Sequence, residues 1–253
     1  MGARHFFIAI ACWICTGPAL ACSLKMAPEQ WPPYIYRDAR ARLTGLDLEL
    51  VTAIMHEAGC TLLIQQELPS ARRQLMFQNG TLDLMLAANS TPERRAYARF
   101  SVPYRYEIVG LFTTPGKLKQ YQQLGSFEDV SDQQLTLLAP KVGWYGPDYA
   151  RSMHGIEAGG RLSTFNSFQQ GIRMFAAGRA ELIMGDAAAL RYEARQQGVP
   201  LTSLPYVPFK APVHLMLNAA RTTQADLDQI NAAIGRLEQR GVLDAIRARY
   251  ISH

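Results

Sequence analysis

A short unit that occurs twice constrains this chain more than any other feature. Residues 76–86 read MFQNGTLDLML, and residues 174–184 read MFAAGRAELIM. Each copy has the pattern of a helix end, a glycine that stops the helix, an acidic residue and a buried strand. The repeat therefore predicts two similar halves that each combine helices with a sheet.

The two copies are followed by residues of opposite charge. The first copy leads to Arg94 and the second to Asp186. Ligands of open α/β sheets bind beyond the carboxyl ends of the strands, where an arginine suits a carboxylate and an aspartate suits an ammonium group. We therefore expect a cleft that holds a zwitterion. The structural alternatives are an ion pair of Arg94 with Glu93 or another acid and a helix cap at Asp186.

The order of predicted strands and helices indicates an α/β protein with two lobes. Alternating strands and helices favour mostly parallel sheets flanked by helices. The second set interrupts the first, so residues 22–108 and 212–253 are predicted to form lobe 1 and residues 109–211 lobe 2. Two segments, near 107–113 and 207–214, then cross between the lobes, which is the arrangement of a hinge.

The N-terminus has the pattern of an export signal. Residues 1–21 contain a basic start, a short apolar run and a small-x-small site before Cys22, which predicts a signal peptide and a periplasmic protein. An acylated Cys22 is the alternative. Cys22 and Cys60 each precede a predicted strand, and if those strands are parallel neighbours the cysteines can form a disulfide. Two buried thiols are the other possibility.

Composition and motifs exclude several classes of function. Hydrophobic residues make up 48% and charged residues 19% of the chain, as in a packed globular protein. The net charge of +5 comes from scattered residues, so a nucleic-acid partner is not indicated. Metal-ligand spacings and the common hydrolase motifs are missing from the sequence, and we expect neither a metal nor a cofactor.

Two loops supply further candidate binding residues. Trp31 and Tyr34 flank a Pro-Pro pair that stiffens the backbone, and we expect them to wall the cleft or to pack in the core. Gly143 and Trp144 precede a predicted helix start, where backbone amides bind anions. A tight structural turn explains that segment equally well.

Several of these motifs together resemble the bacterial family 3 solute-binding proteins, the periplasmic receptors of polar amino-acid ABC transporters. The resemblance rests on residues 45–50 (GLDLEL), 91–94 (TPER), 100–104 (FSVPY), 185–186 (GD) and 241–246 (GVLDAI). It implies a type II periplasmic-binding-protein fold, a monomer, a small-molecule ligand and an inner-membrane permease as partner.

The resemblance also assigns roles to single residues. Arg94 would bind the ligand carboxylate, Asp186 the amine, Trp31 would stack on the ligand and Asn89 would add a polar contact. The chain departs from the family at Trp144, where relatives carry a small hydroxyl residue after the glycine. It departs again at Ser70, beside which Arg72 either reaches the ligand or is solvated. The preferred side chain of the ligand therefore stays open.

Two other functions fit the same residues. Some relatives are periplasmic dehydratases of cyclic carboxylic acids, in which case Arg94 would bind the substrate and Glu29 or Asp186 would donate a proton. A ligand-sensing module that reports to a membrane receptor is the second alternative. We expect binding rather than catalysis, because no second acid or base stands at a suitable spacing.

Overall fold

The fold is taken from a computed structural model that describes residues 22–141 and 145–251. The strands are β1 (Ser23–Met26), β2 (Tyr36–Arg37), β3 (Leu43–Thr44), β4 (Thr61–Ile64), β5 (Leu84–Ala88), β6 (Ala98–Phe100), β7 (Arg105–Thr113), β8 (Leu137–Pro140), β9 (Leu162–Phe165), β10 (Leu182–Asp186), β11 (Thr202–Ser203) and β12 (Phe209–Asn218). The helices are α1 (Leu46–Glu57), α2 (Ser70–Gln78), α3 (Pro92–Arg95), α4 (Leu118–Tyr121), α5 (Phe127–Asp132), α6 (Pro147–Ala158), α7 (Phe168–Ala176), α8 (Ala187–Gln196), α9 (Gln224–Gln239) and α10 (Val242–Ile251). Among them, no helix is long and apolar enough to cross a membrane.

The two copies of the repeated unit have the same local structure. Gly80 ends α2 with φ +78° and donates its amide to Phe77 O at 3.0 Å. Gly178 ends α7 with φ +71° and donates its amide to Phe175 O at 2.9 Å. A positive φ at this position favours glycine. The predicted helix–glycine–strand pattern is confirmed in both halves.

The acidic residue of each copy also has the same role. Asp83 Oδ2 accepts a hydrogen bond from Lys25 N at 3.0 Å, at the edge of β1. Glu181 Oε2 accepts one from Thr136 N at 2.9 Å, just before β8. Each carboxylate thus ties the start of its strand to a neighbouring strand of the same half.

The sheets are mixed rather than uniformly parallel. β1 pairs with β4 in parallel, and β8 pairs in parallel with both β9 and β10. β5 pairs antiparallel with β12 instead of extending the β1–β4 ladder. The contact between β1 and β5 is made by Asp83, whose amide and carboxylate both bond to the Lys25 backbone.

Two long strands connect the halves. β7 and β12 pair antiparallel from Arg105↔Val213 to Val109↔Phe209. β12 continues into pairs with β5 and β6, whereas β7 continues into pairs with β10 and β11. We call the paired part of β7 and β12 the hinge ribbon. It overlaps the two segments, near 107–113 and 207–214, where the sequence predicts the crossings, while the lobe boundaries at 108/109 and 211/212 stay a prediction.

Buried apolar side chains form separate groups on either side of the hinge ribbon. In lobe 1, Leu50 and Ile54 of α1 pack with Ile230 of α9 and Leu215 of β12. In lobe 2, a cluster is formed by residues such as Phe127, Leu137 and Met184. Each lobe therefore buries the apolar face of its own sheet and helices.

Cys22 and Cys60 form a disulfide, with the two Cα atoms 4.6 Å apart. β1 and β4 are parallel neighbours in a register that opposes Ser23 to Thr61, so the cysteines just before them lie side by side. The prediction of the disulfide from strand order is confirmed, and the alternative of two buried thiols is wrong for this structure.

Candidate functional site

The main candidate site is a cavity of about 430 Å³ in lobe 1, at the carboxyl end of β5. Its lining includes two residues that the sequence predicts to bind a ligand, Trp31 and Arg94. The full lining is Glu29, Gln30, Trp31, Arg73, Gln74, Met85, Leu86, Ala87, Ala88, Arg94 and Met216. We call it the lobe-1 cavity.

Arg94 is held by the short helix α3. Thr91 caps this helix by accepting a hydrogen bond from Arg94 N at 3.4 Å, and Pro92 occupies the first helical position. The half-buried side chain donates from Nη1 to Asn89 O at 3.1 Å. Within the described part of the chain no carboxylate lies within 4.0 Å of its guanidinium. The predicted alternative of an ion pair with Glu93 is therefore not what the structure contains.

Trp31 and Tyr34 lie together but face different surroundings. Their ring centroids are 4.6 Å apart. Trp31 is partly exposed and lines the lobe-1 cavity. Tyr34 is only 3% exposed and belongs to the lobe 1 core, so it is a core residue whose hydroxyl reaches the opposite lobe.

Asp186 lies at the end of β10 and caps α8. Its Oδ1 accepts a hydrogen bond from Ala189 N at 2.8 Å, and its Oδ2 accepts one from the Tyr34 hydroxyl at 2.8 Å. The preceding Gly185 has φ +154°, and a Cβ there would lie 2.7 Å from the Phe168 ring. Glycine is required at this turn. The cap function that the sequence suggests as an alternative is present, together with a bond between the lobes.

Burial shapes the electrostatics of this contact. It raises the pKa of the Asp186 carboxyl, although the hydrogen bonds from Ala189 and Tyr34 oppose the shift. Burial and the Asp186 charge together hold the pKa of the Tyr34 hydroxyl well above its usual value. The Tyr34 hydroxyl therefore keeps its proton and donates it to Asp186 Oδ2.

A buried ion pair lies directly beneath Tyr34. Arg105 donates from Nε to Asp47 Oδ1 at 2.5 Å and from Nη2 to Asp47 Oδ2 at 2.9 Å. Its Cζ is 4.0 Å from the centre of the Tyr34 ring. Sequence reasoning missed this pair. The available signal was Asp47 itself, which stands one turn before the buried Leu50 and Val51 and so shares their inward face of α1.

A second arginine lines the lobe-1 cavity. Arg73 is 7% exposed and pairs with Glu29 at 2.5 Å. Its Nε has no hydrogen-bond partner among the described residues. Arg72, the neighbour that the sequence singles out, is exposed and is not in the described cavity lining. One step along α2 turns the side chain by about 100°, which places Arg73 rather than Arg72 on the inward face.

The remaining predicted residues do not join the cavity lining that the structure describes. Asn89 is exposed and contributes its backbone carbonyl to Arg94. Gly143 and Trp144 lie outside the described residues, as does the predicted signal peptide. Sequence reasoning also missed the acidic residue Glu107 on β7. It is half-buried, and burial followed by the Asp186 charge raises its pKa.

The structure brings Trp31 and Arg94 together, and separately joins Tyr34 to Asp186. Arg94 and Asp186 do not line one described cavity. No cluster of three His, Cys, Asp or Glu residues suited to a metal ion occurs within the described ranges. Two described features suit the recognition of charged groups: an arginine without an ion-pair partner and a buried carboxylate that accepts a hydrogen bond from the Tyr34 hydroxyl.

Solved structures of binding proteins have the same two-lobed fold. A probable amino-acid ABC transporter extracellular-binding protein from Bacillus subtilis is 15% identical, over 90% of this chain and 97% of the other, with a TM-score of 0.73. The L-cystine solute receptor of Neisseria gonorrhoeae, in an unliganded open conformation, is 18% identical over 92% of this chain and 94% of the other, with a TM-score of 0.70. A histidine kinase sensor domain similar to periplasmic binding proteins is 16% identical over 92% of this chain and 96% of the other, with a TM-score of 0.64. Curated protein sequences give no match.

The fold is therefore that of the type II periplasmic binding proteins. The sequence pattern of the bacterial extracellular solute-binding proteins, family 3, matches residues 24–253, and the chain belongs to this family. The resemblance inferred from the motifs is thereby confirmed. Membership in an extracellular family agrees with an exported protein.

Proposed function

We propose that this protein binds an α-amino acid between its two lobes in the periplasm and, as a monomer, delivers it to an inner-membrane ABC permease. The observation that carries the proposal is Arg94, an arginine without a carboxylate partner in the described chain, in a cavity walled by Trp31. A ligand carboxylate supplies the missing bidentate partner of this guanidinium.

Asp186 is the proposed partner of the ligand amine. It occupies the position in lobe 2 that corresponds to the end of β5 in lobe 1, and its carboxylate is buried. A ligand ammonium would replace the Tyr34 hydroxyl at Oδ2, exchanging a neutral donor for a charged one. The exchange requires the lobes to separate and close again around the ligand, which is the motion that a two-strand hinge permits.

The contacts of Glu29 and Asp186, the two candidate proton donors, favour binding over catalysis. Glu29 is engaged by Arg73 and Asp186 by two hydrogen-bond donors. A proton donor for dehydration has to reach the substrate with a free proton. Glu29 lines the lobe-1 cavity but is paired with Arg73, and Asp186 is not in the described lining of that cavity.

The direct test is a thermal-shift and calorimetric screen of amino acids on the mature protein. A ligand at 100 times its Kd is expected to stabilise the fold by about 2.7 kcal/mol. Arg94→Ala is expected to weaken binding by about 100-fold, since a charge-assisted pair is lost. Arg95→Ala is the matched control, because the neighbouring Arg95 is exposed and bonds only to Ser90 within the described residues. Unchanged affinity in Arg94→Ala would contradict the assignment of Arg94 as the residue that binds the ligand carboxylate.

A sensory role is the second candidate, supported by the likeness in fold to a histidine kinase sensor domain. Both roles share the binding reaction and differ in the partner. Uptake of the labelled ligand by cells with and without the protein separates them: transport predicts that uptake falls when the protein is removed, whereas sensing predicts unchanged uptake.

A further inference from the structure

A second cavity, of about 200 Å³, lies where the hinge ribbon meets the starts of α1 and α8. Tyr106 and Ile108 of β7 line it, together with Lys210, the partner of Ile108 on β12. Arg105, at the start of β7, also lines it, whereas Glu107 is not in its described lining. We call it the hinge pocket.

All four charged side chains that line the hinge pocket are cations: Arg105, Arg191, Lys210 and Arg247. Arg247 is neutralised by Glu238 and Asp244. Arg191 and Lys210 have no carboxylate within 4.0 Å among the described residues. Arg191 bonds instead to Ser203 Oγ at 2.6 Å, and the Lys210 ammonium lies 4.6 Å from the centre of the Tyr106 ring. Two cations of the pocket therefore have no direct ion-pair partner among the described residues: Arg191, on which the Asp186 charge acts from farther away, and the exposed Lys210.

Arg105 adds an unfilled hydrogen-bond donor. It is 3% exposed and uses two of its nitrogens to bind Asp47. The third, Nη1, is buried without an acceptor in the described part of the chain. Buried charged donors are almost always paired, and leaving one unpaired is costly. Arg105 thus places a buried cationic donor next to the pocket.

The rest of the lining is apolar, which restricts the kind of anion. Tyr34 and Tyr106 contribute rings, and Leu46 and Ile108 contribute aliphatic side chains. A simple inorganic ion would leave this surface unfilled, whereas a carboxylate on a small apolar body satisfies both parts of the lining.

We propose that the hinge pocket is a second binding site, specific for a small organic carboxylate and separate from the amino-acid site proposed above. Arg191 and Lys210 supply the charge, and the tyrosine rings contact the apolar body. The residues come from both lobes and from the ribbon, so the bound carboxylate contacts every part that moves when the lobes close.

The test uses the mature protein and benzoate as the probe, followed by calorimetry and by NMR of the protein. Benzamide and benzylamine are the matched neutral and cationic compounds. We expect saturable binding of benzoate only. Lys210→Gln and Arg191→Gln are each expected to weaken it about tenfold or more, whereas Lys119→Gln, which alters an exposed lysine of α4, leaves it unchanged.

Two further measurements separate the hinge pocket from the lobe-1 cavity. Arg94→Ala is expected to leave benzoate affinity unchanged, and Lys210→Gln to leave amino-acid affinity within about twofold. Loss of benzoate binding in Arg94→Ala would show that the probe occupies the lobe-1 cavity and would overturn the proposal. Equal binding of benzamide, or no saturable binding of benzoate, would also overturn it. Failure of amino acids to bind contradicts the proposed function alone.

Discussion

Asp186 combines three tasks in one carboxylate: it caps α8, bonds Tyr34 across the lobes and is the proposed amine partner. The first task needs only an oxygen acceptor, whereas the last needs a negative charge. Substitutions that keep the oxygen but remove the charge therefore separate structure from binding.

We predict that Asp186→Asn loses amino-acid affinity but folds normally, because asparagine also caps helices. Asp186→Ala is expected to lower the free energy of unfolding by about 1 kcal/mol as well, through loss of the cap. Urea unfolding and calorimetry on the two variants measure these effects. Full amino-acid affinity in Asp186→Asn would contradict the role of the charge.

The raised pKa of Asp186 predicts how the difference in unfolding free energy between the wild type and Asp186→Asn depends on pH. Burial raises the folded-state pKa above the unfolded one, so the protonated form is favoured by folding. The stability contributed by this group is present below the unfolded pKa and is lost as pH rises through the folded pKa. We expect the unfolding free energy of the wild type to fall relative to that of Asp186→Asn over that interval, measured from acid to neutral pH. A difference in unfolding free energy that stays constant with pH would contradict this prediction.

The pair Asp47–Arg105 is the most deeply buried charge pair described, with both residues at most 3% exposed. We predict that Arg105→Met destabilises the protein by about 3–5 kcal/mol, because the Asp47 charge is left unpaired. The double variant Asp47→Leu/Arg105→Met is expected to recover most of this loss, since no buried charge remains. Denaturant unfolding is the measurement, and additive losses in the double variant would contradict the pairing.

At the scale of elements, the disulfide fixes the β1–β4 pair, which stands apart from the main sheet. Four residue pairs form its ladder, and a two-stranded ladder is weak by itself. The covalent link, together with α1 packed on the pair, holds this edge of lobe 1 in place.

We predict that Cys22→Ala/Cys60→Ala lowers the free energy of unfolding by about 2–4 kcal/mol, the usual effect of opening a loop of this size. The measurement is denaturant unfolding of wild type and double variant, with dithiothreitol-reduced wild type as the control that retains both cysteines. Equal stability of the oxidised and reduced wild type would contradict the prediction.

At the scale of the whole molecule, aromatic residues of lobe 1 hold α8 of lobe 2. The Tyr34 hydroxyl bonds to Asp186, and the Tyr36 ring lies 5.4 Å from the Tyr192 ring, centroid to centroid. The lobes are therefore in contact at α8. A ligand amine has to compete with Tyr34 for the same carboxylate oxygen.

We predict that Tyr34→Phe raises amino-acid affinity by about tenfold, because it removes the competing hydroxyl but keeps the ring over Arg105. Calorimetric titration is the measurement, with Tyr36→Phe as a control that leaves the Asp186 contact intact. Weaker binding in Tyr34→Phe would instead show that the hydroxyl contacts the ligand.

Much of the architecture could be predicted from the sequence because it depends on local patterns. The repeated unit, the two chain crossings and the pairing of Cys22 with Cys60 follow from helix stops, alternation and strand order. The mixed pairing of β5 with β12 was not predictable, since it joins segments far apart in the chain. Arg94 and Trp31, predicted from their places after strands, both line the lobe-1 cavity. Arg73 rather than Arg72 is in the described lining, which the sequence does not predict because helix phase at the short α2 is hard to judge.

The sequence by itself therefore determined the family, the duplicated α/β plan and the side chains of opposite charge after corresponding strands. Only the tertiary structure decided which partners those charges meet. Tyr34 and Asp186 are 152 residues apart, and Asp47 and Arg105 are 58 apart. Local preferences such as helix stops and caps act over a few residues. The partner of a buried charge is fixed by long-range packing, which brings a hydroxyl to Asp186 and an arginine to Asp47. The same packing brings Arg191 and Lys210 together at the hinge pocket.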